Sequence, residues 1–291
     1  MGTPQLEFES DVTDRVYRYV ERHGSATREE VRDAVRVEET VGAKPPRSGT
    51  EPEGRLSVPE FGEHVEELLA DGLLTERDGR LCVSPDAEER THGAEEFEYV
   101  TRPAREDDRE AVAGLIRETA DEGAIVVDER VADVVGRTPT GNRTQSDDAI
   151  EGDGALVRLN DRESRMFFVA ELRRENDGGA SEDGRADREI IGWVHLQGFE
   201  LPARSHTAEL TVGVAPENRE RGVGGTLLER GIEWAEEEEC IKVYQSLPAT
   251  NEDALELLDE HGWEREATRA DHYEIDGDLV DEVQLTTRLD E

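Results

Sequence analysis

The chain has 291 residues and a formal net charge of -39 at pH 7, with 73 Asp and Glu against 34 Lys and Arg. No apolar run approaches the ~20 residues that span a bilayer, and residues 1–10 lack the basic and apolar regions of a secretory signal. We therefore expect a cytoplasmic protein that does not enter membranes. Hydrophobic residues make up 34% and recur in periodic segments, which excludes a disordered acidic chain, and the length suits two domains.

The acidic excess is spread along the whole chain, and the only lysines are Lys44 and Lys242. This composition is typical of a halophilic surface, on which carboxylates hold water and salt screens their repulsion; an acidic mesophilic protein is the alternative. Cys82 and Cys240 lie far apart in sequence. They imply neither a disulfide framework nor a zinc site, and no metal site is predicted.

Helical periodicity predicts three helices in the first 72 residues, at 11–23, from Thr27, and from Ser57 to Gly72, with a loop at 42–50. Segments 73–77 and 80–83 flank Asp78-Gly79, the favoured pair for a two-residue hairpin turn. Three helices closed by a hairpin resemble a winged-helix domain.

Winged helices that bind DNA use the third helix, and phosphate binding needs cations there. In this chain the predicted third helix carries only acidic charges, at Glu60, Glu63, Glu66, Glu67 and Asp71. Nucleic acid is therefore a disfavoured partner, and contact with protein or presentation of a substrate is the alternative role.

The rest of the chain alternates strands with helices. A polar segment at 84–96 is the candidate linker, after which we expect a strand at 97–104, a helix from Asp107 and a second helix at 125–135. Residues 136–154 are turn-rich and polar, which favours an acidic insert without a function over an excursion across the substrate side. Strands at 164–172, 189–197 and 207–214 form an antiparallel meander, and 174–188 is its hairpin loop. A helix to Glu239, a strand at 241–247, a helix at 252–261 and a hairpin of 263–275 with 279–289 complete the order.

A glycine-rich turn joins the strand at 207–214 to the helix that follows it. Glycines at 222, 224 and 225 let backbone N–H groups face inward at a helix N-terminus, where unpaired donors and the positive end of the dipole concentrate. The sequence therefore predicts a cradle for a pyrophosphate.

Arg-x-x-Gly-x-Gly, here Arg219 to Gly224, resembles the acyl-CoA signature of the GNAT superfamily of N-acetyltransferases, together with Val214-x-Pro216 and Leu227-Leu228. A second block, Asn251 to Trp263, resembles the family's Asn-x-x-Ala-x-x-Leu-Tyr-x-x-x-Gly-Phe, but Leu258 replaces the tyrosine.

The resemblance implies an α/β protein with a mixed GNAT-like sheet that splays near Val214 and Val243, and acetyl-CoA as acyl donor. Domains are expected at 1–90 (winged-helix-like), 91–96 (linker) and 97–291 (GNAT-like). The expected acetyl-CoA contacts are Val212, Val214, Arg219, Glu220, Arg221, Gly222, Val223, Gly224, Gly225, Thr226 and Asn251.

Direct attack by an amine requires a base, because the amine must be neutral. Glu209 is the best-placed carboxylate, on the face opposite Leu210, and His195 and His206 are weaker alternatives. In many relatives the tyrosine of the second block protonates the departing thiolate. Here the general acid is unassigned, with Tyr273, Tyr244 or water as substitutes.

The expected activity is acetyl transfer from acetyl-CoA to an amine of a small molecule or a protein. The alternative is a regulator that senses acetyl-CoA with little turnover and contacts DNA or protein through its N-terminal domain. The sequence predicts neither the acceptor amine nor the oligomeric state.

Overall fold

A computed structural model describes residues 8, 10–38, 53–85, 87–94, 97–121, 155–159, 164–173, 189–198 and 202–289. The chain forms two compact units. The N-terminal unit comprises residues 6–86 and 139–158, and the C-terminal unit comprises residues 1–5, 87–138 and 159–291. The features expected at 42–50, 125–135, 136–154 and 174–188 lie outside the described residues.

The described chain contains the following helices and strands, numbered in order. The helices are α1 (Asp11–His23), α2 (Arg28–Ala34), α3 (Val58–Ala70), α4 (Arg109–Asp121), α5 (Val223–Glu237) and α6 (Glu252–Glu260). The strands are β1 (Ser25–Thr27), β2 (Arg36–Glu38), β3 (Glu53–Arg55), β4 (Leu74–Arg77), β5 (Arg80–Val83), β6 (Arg90–Gly93), β7 (Glu98–Pro103), β8 (Arg158–Leu159), β9 (Ser164–Arg173), β10 (Ile190–Gly198), β11 (Thr207–Val214), β12 (Lys242–Pro248), β13 (Glu264–Ile275) and β14 (Asp278–Arg288). None of the helices in the described ranges is long and apolar enough to cross a lipid bilayer.

The three predicted helices of the N-terminal unit are present, and side chains cap each of them. Ser10 accepts a bond from Thr13 N–H at the start of α1, and capping boxes open α2 and α3 at Thr27 and Ser57. These caps satisfy N–H groups that a helix start leaves unpaired. A buried core that includes Val16, Val20, Val65 and Leu68 stabilises the unit.

The predicted hairpin of the N-terminal unit is β4 and β5, and its turn residues Asp78 and Gly79 have φ of 50° and 75°. Both positive values suit a type I′ turn, which explains the Asp-Gly pair. Strand β1 adds to β5, giving an antiparallel sheet in the order β1-β5-β4. Strand β1 is not predictable from the sequence, because three residues between two helices carry no periodic signal.

The C-terminal unit is built on a sheet in the order β13-β14-β12-β11-β10-β9-β7-β6. Neighbours along it are antiparallel except β11 and β12, which are parallel. The predicted strands, the meander β9-β10-β11 and the final hairpin are thus confirmed. The hairpin turns at Asp276 and Gly277, both with positive φ.

Two domain expectations need correction. Residues 91–93, expected in the linker, belong to β6, which pairs with β7 at the edge of the large sheet. The sequence Arg-Thr-His-Gly is polar and mostly exposed, so it has none of the apolar alternation by which strands are found. Residues 155–158, expected in the second domain, group with the N-terminal unit, in which Arg158 pairs with the buried carboxylate of Glu21.

Helix α5 covers one face of the large sheet. A Cβ on Gly231 would lie 2.9 Å from Leu210, 3.1 Å from Leu196 and 3.2 Å from Val194, so glycine permits close packing of α5 on β10 and β11. Side chains alternate along a strand, so Glu209 and Thr211 point to the opposite face. We call the half-buried part of that face around these two residues the open face.

Candidate functional site

The large sheet splays between its two parallel strands. Pairing of β11 with β12 covers Thr207 to Glu209 and ends at the Glu209–Tyr244 position, although β11 runs on to Val214 and β12 to Pro248. The N–H of Ala215 donates to Ile191 in β10, so alternation directs the N–H groups of Val212 and Val214 into the gap. The gap is the splay that the family resemblance implies.

The chain leaves β11 through a turn with two left-handed residues. Glu220 has φ 59° and Gly222 has φ 82°. Left-handed residues in a turn bring successive N–H groups to one side, which forms a concavity that binds anions. Arg219 closes the turn, because its Nε donates to Val214 O at 3.1 Å. Among the glycines of the turn, only Gly222 has a positive φ, so only this position requires glycine for its backbone conformation.

The turn delivers the N-terminus of α5 to the mouth of the splay. Gly222 is the cap residue and has no side chain to accept from the first N–H groups, in contrast to the cap residues of α1, α2, α3 and α6. The first turn of α5 also contains no acidic residue, whereas those four helices begin with one or two. In so acidic a protein this end keeps its donors and positive dipole available to an anion.

Gly224 and Gly225 serve packing, which corrects the expectation that all three glycines clear the phosphate cradle. A Cβ at Gly224 would lie 3.3 Å from Leu257, and one at Gly225 would lie 3.0 Å from His261. Both neighbours belong to or directly follow α6. The two glycines thus let α5 and α6 approach each other, and their backbone N–H groups remain available at the helix start.

Aromatic residues from the N-terminal part of this unit support the turn. The Tyr99 hydroxyl donates to Thr226 Oγ1 at 2.9 Å, and Thr226 Oγ1 donates to Gly222 O at 3.1 Å. The Arg221 guanidinium lies 5.5 Å from the centre of the Phe97 ring. Thr226 therefore stabilises the helix start. No sequence signal links Tyr99 to Thr226, because 127 residues separate them.

The second block occupies α6. Asn251 caps the helix, accepting from Ala254 N–H at 3.1 Å. Leu258 is buried in the core with 1% of its surface exposed. The position that carries tyrosine in the GNAT pattern therefore offers no proton donor in this chain.

Glu209 lies on the open face at the point where β11 and β12 separate. It is half-buried, and burial raises the pKa of its carboxyl above the ordinary value, which the Tyr244 hydroxyl and the Arg204 charge partly oppose. A partly dehydrated carboxylate with a raised pKa is a stronger base than an exposed one.

Tyr244 and Arg204 surround that carboxylate. The Tyr244 hydroxyl is 3.4 Å from Glu209 Oε2, and Arg204 Nη2 donates to the same hydroxyl at 2.8 Å. Sequence reasoning missed Arg204, because only the 3-10 turn Pro202–Arg204 brings it to β12.

The second candidate tyrosine pairs with a different carboxylate. Tyr273 donates to Glu282 Oε1 at 3.0 Å, and Arg269 Nη1 lies 2.6 Å from Glu282 Oε2. Glu282 is buried on β14. Tyr273 is therefore bound to a neighbouring group and not to Glu209.

The two histidines proposed as weaker bases lie in unlike surroundings. His195 is stacked on Phe167 at 4.4 Å, and burial, with the nearby Arg165 charge, lowers the pKa of its imidazole to about 3. An imidazole of that pKa is a weak base. His206 is exposed in the turn before β11, where its carbonyl accepts from Ile241 and Lys242 N–H.

A protein-family model supports the assignment of the fold. Residues 146–263 match the Acetyltransferase (GNAT) family. The fold is GNAT-like. The large sheet is mixed, as this fold requires. The residues that match the family model include the splay, the turn at Arg219 to Gly224 and helices α5 and α6. No curated protein matches the chain.

Solved structures were also compared with the chain. Three similar ones are a ribosomal-protein-alanine N-acetyltransferase from Brucella melitensis, a phosphinothricin acetyltransferase from Sinorhizobium meliloti in complex with acetyl-CoA, and an N-acetyltransferase from Staphylococcus aureus. Their identities to the chain are 21%, 17% and 14%, with TM-scores of 0.45, 0.47 and 0.43. The matches cover 65%, 66% and 65% of this chain and 99%, 88% and 98% of the other chains.

Proposed function

We propose that the chain is a member of the GNAT superfamily that transfers an acetyl group from acetyl-CoA to an amine. The observation that carries the proposal is the uncapped, acid-free N-terminus of α5 beside the splay of β11 and β12. The first feature suits a pyrophosphate and the second suits an extended pantetheine arm. A generic anion site would not need both.

The catalytic steps follow from the same geometry. The N–H groups of Val212 and Val214 face the gap and can pair with the pantetheine arm, and binding of the distant nucleotide positions the thioester. At the deep end of the gap Glu209 accepts a proton as a neutral amine attacks the thioester carbon. Arg219, Glu220 and Arg221 shape the turn, the backbones of Gly222 to Gly225 supply its donors, and Thr226 N–H closes the first turn of the helix by donating to Gly222 O. Asn251 fixes the start of α6 beside it.

For the N-terminal unit we propose a winged-helix-like module that contacts protein. The acidic residues of α3 repel a phosphate backbone. One of the nearby cations is already neutralised, because Arg28 forms ion pairs with Glu66 at 3.0 Å and Glu76 at 2.7 Å.

The regulator that senses acetyl-CoA without efficient turnover is a second candidate. Buried Leu258 favours it, because this substitution removes the family's proton donor. Such a regulator would bind acetyl-CoA at the same site as the enzyme and would differ from it only in lacking an efficient transfer step.

Free-thiol release separates the two functions. The full chain in multimolar KCl is incubated with acetyl-CoA and, in turn, spermidine, kanamycin, glycine, a lysine peptide and a peptide with a free N-terminus. If the chain is an acetyltransferase, thiol release should depend on one of these amines. Mass spectrometry should then show that amine heavier by about 42 Da, the mass added by one acetyl group. Saturable binding of acetyl-CoA without release of free thiol would favour the regulator, provided that neither these amines nor a cell lysate added as the source of acceptor causes release.

A further inference from the structure

Leu258 leaves the departing thiolate without its expected proton donor, and the open face supplies another. We propose that Tyr244 protonates the thiolate and that Glu209, through its contact with the Tyr244 hydroxyl, returns the proton it has taken from the amine. This inference rests on the proposed acetyl transfer and assigns the acid that the sequence left open.

The position of Tyr244 is the first support. Glu209 and Tyr244 form the last pair before β11 and β12 diverge, and both side chains emerge on the open face. A thioester that enters the splay stops at its deep end, since the paired strands close the gap there. Tyr244 is therefore the phenol of β12 that lies at the closed end of the gap.

The hydrogen bonds of Tyr244 are the second support. A phenol has one proton to donate and accepts through its oxygen. Arg204 donates to that oxygen at 2.8 Å, which leaves the O–H proton for Glu209, 3.4 Å away. A bond of 3.4 Å is long. The hydroxyl can therefore turn from Glu209 to a sulfur atom at small cost, and Arg204 would stabilise the phenolate.

The proton transfers balance without another reactant. The amine nitrogen forms a bond to the carbonyl carbon and loses a proton to Glu209, and the carbon–sulfur bond then breaks with its electron pair on sulfur. The Tyr244 proton moves to that sulfur, and the Glu209 proton moves to the Tyr244 oxygen. Both side chains return to their starting states, and the products are the amide and free CoA thiol.

The charges around Tyr244 agree with such a relay. Burial, together with the Glu209 charge, raises the pKa of the Tyr244 phenol to about 12, while Arg204 lowers it. The hydroxyl thus carries its proton at neutral pH. An ordinary thiol has a pKa of about 8.5. Transfer from Tyr244 alone would be uphill, and simultaneous return of the proton from Glu209 makes the overall transfer downhill.

Tyr273 is the rival on the same face. Its hydroxyl donates to Glu282, whose side chain is buried, and both residues belong to the final hairpin. Because its proton is donated to Glu282, Tyr273 is bonded to a carboxylate other than the proposed base.

The variant Tyr244→Phe tests the proposal. Its kcat is measured with the amine of the panel that gives the unaltered chain its highest turnover. We expect kcat to fall about 100-fold, the scale of general acid catalysis, while the Kd for acetyl-CoA changes less than about threefold. Tyr273→Phe is the control variant, and its kcat is expected to fall less than that of Tyr244→Phe. The oxygen-ester analogue of acetyl-CoA is the second donor. Its alkoxide needs protonation more than a thiolate does, so the Tyr244→Phe loss should grow.

Three results would overturn the assignment. A Tyr244→Phe enzyme with kcat within about threefold of the parent would leave water or another group as the acid. Equal losses with the thioester and the oxygen ester would indicate a merely structural hydroxyl. A larger loss in Tyr273→Phe would transfer the role to that residue. Absence of thiol release by the unaltered chain would instead overturn the proposed function, and this inference with it.

Discussion

At the scale of single residues, three side chains of the C-terminal unit form the candidate catalytic group. Glu209, Tyr244 and Arg204 meet through two hydrogen bonds at the end of the β11–β12 pairing. Alternation in the sequence predicted the face that Glu209 occupies. Its partners are not predictable, because Arg204 and Tyr244 approach it from a turn and a strand that only tertiary packing brings together.

Glu209→Gln is predicted to lower kcat roughly 100-fold or more, since glutamine cannot accept the amine proton. In the parent, the reactive form is the carboxylate. Because burial raises the pKa of Glu209, activity should fall as pH drops through a value above that of an ordinary glutamate. This acidic limb of the kcat/KM profile should disappear in the variant. A variant with the parent's rate and acidic limb would exclude Glu209 as the base.

At the scale of elements, local rules account for most of the fold. The Asp78-Gly79 turn appears where the sequence predicts it, and the Asp276-Gly277 turn, the capping boxes of α2 and α3 and the Asn251 cap likewise form between residues close together in sequence. Their signals are local, so one stretch of chain contains them. Strands β1 and β6 were missed because they are short or polar and exist only by pairing with strands distant in sequence.

The glycine-rich turn likewise combines a feature that the sequence predicts with features that only the structure shows. Its strand–turn–helix form was predictable, but the reasons for its glycines were not. Gly222 is required by its φ of 82°, whereas Gly224 and Gly225 are required by contact with Leu257 and His261. Only the structure shows that contact.

Gly222→Ala is predicted to weaken acetyl-CoA binding at least tenfold, because a left-handed alanine costs about 1–2 kcal/mol and the turn relaxes to avoid it. Gly277→Ala is the matched control. It also has a positive φ, 88°, with no atom within 4 Å of its added Cβ, but it lies in the β13–β14 hairpin. Calorimetry should show weakened binding for Gly222→Ala alone. Similar Kd values for both variants would place the pyrophosphate elsewhere.

At the scale of the whole molecule, the net charge of -39 opposes both folding and the approach of a polyanionic donor. The screening length falls from about 10 Å at 0.1 M salt to about 3 Å at 1 M. We propose that the protein is halophilic, so that concentrated salt is its working medium. The α5 N-terminus is then a local exception to the charge of the molecule.

We expect the midpoint of thermal unfolding to rise by roughly 5 °C or more between 0.1 and 2 M KCl, corresponding to about 2 kcal/mol for a domain of this size. The physical reason is screening of carboxylate repulsion, which is stronger in the compact state. Repeating the melt closer to the pI of 4.4, where the net charge is smaller, is the control and should reduce the effect. A midpoint independent of KCl at neutral pH would contradict the halophilic proposal.

The most direct test of the account is calorimetric titration of the full chain with acetyl-CoA in 2 M KCl. One saturable site is predicted, since the splay of β11 and β12 and the uncapped start of α5 are joined by the turn that follows β11. Binding should weaken in Gly222→Ala and persist in Tyr244→Phe, because the turn holds the nucleotide and the tyrosine acts only in the chemical step. No saturable binding by the unaltered chain would contradict the account.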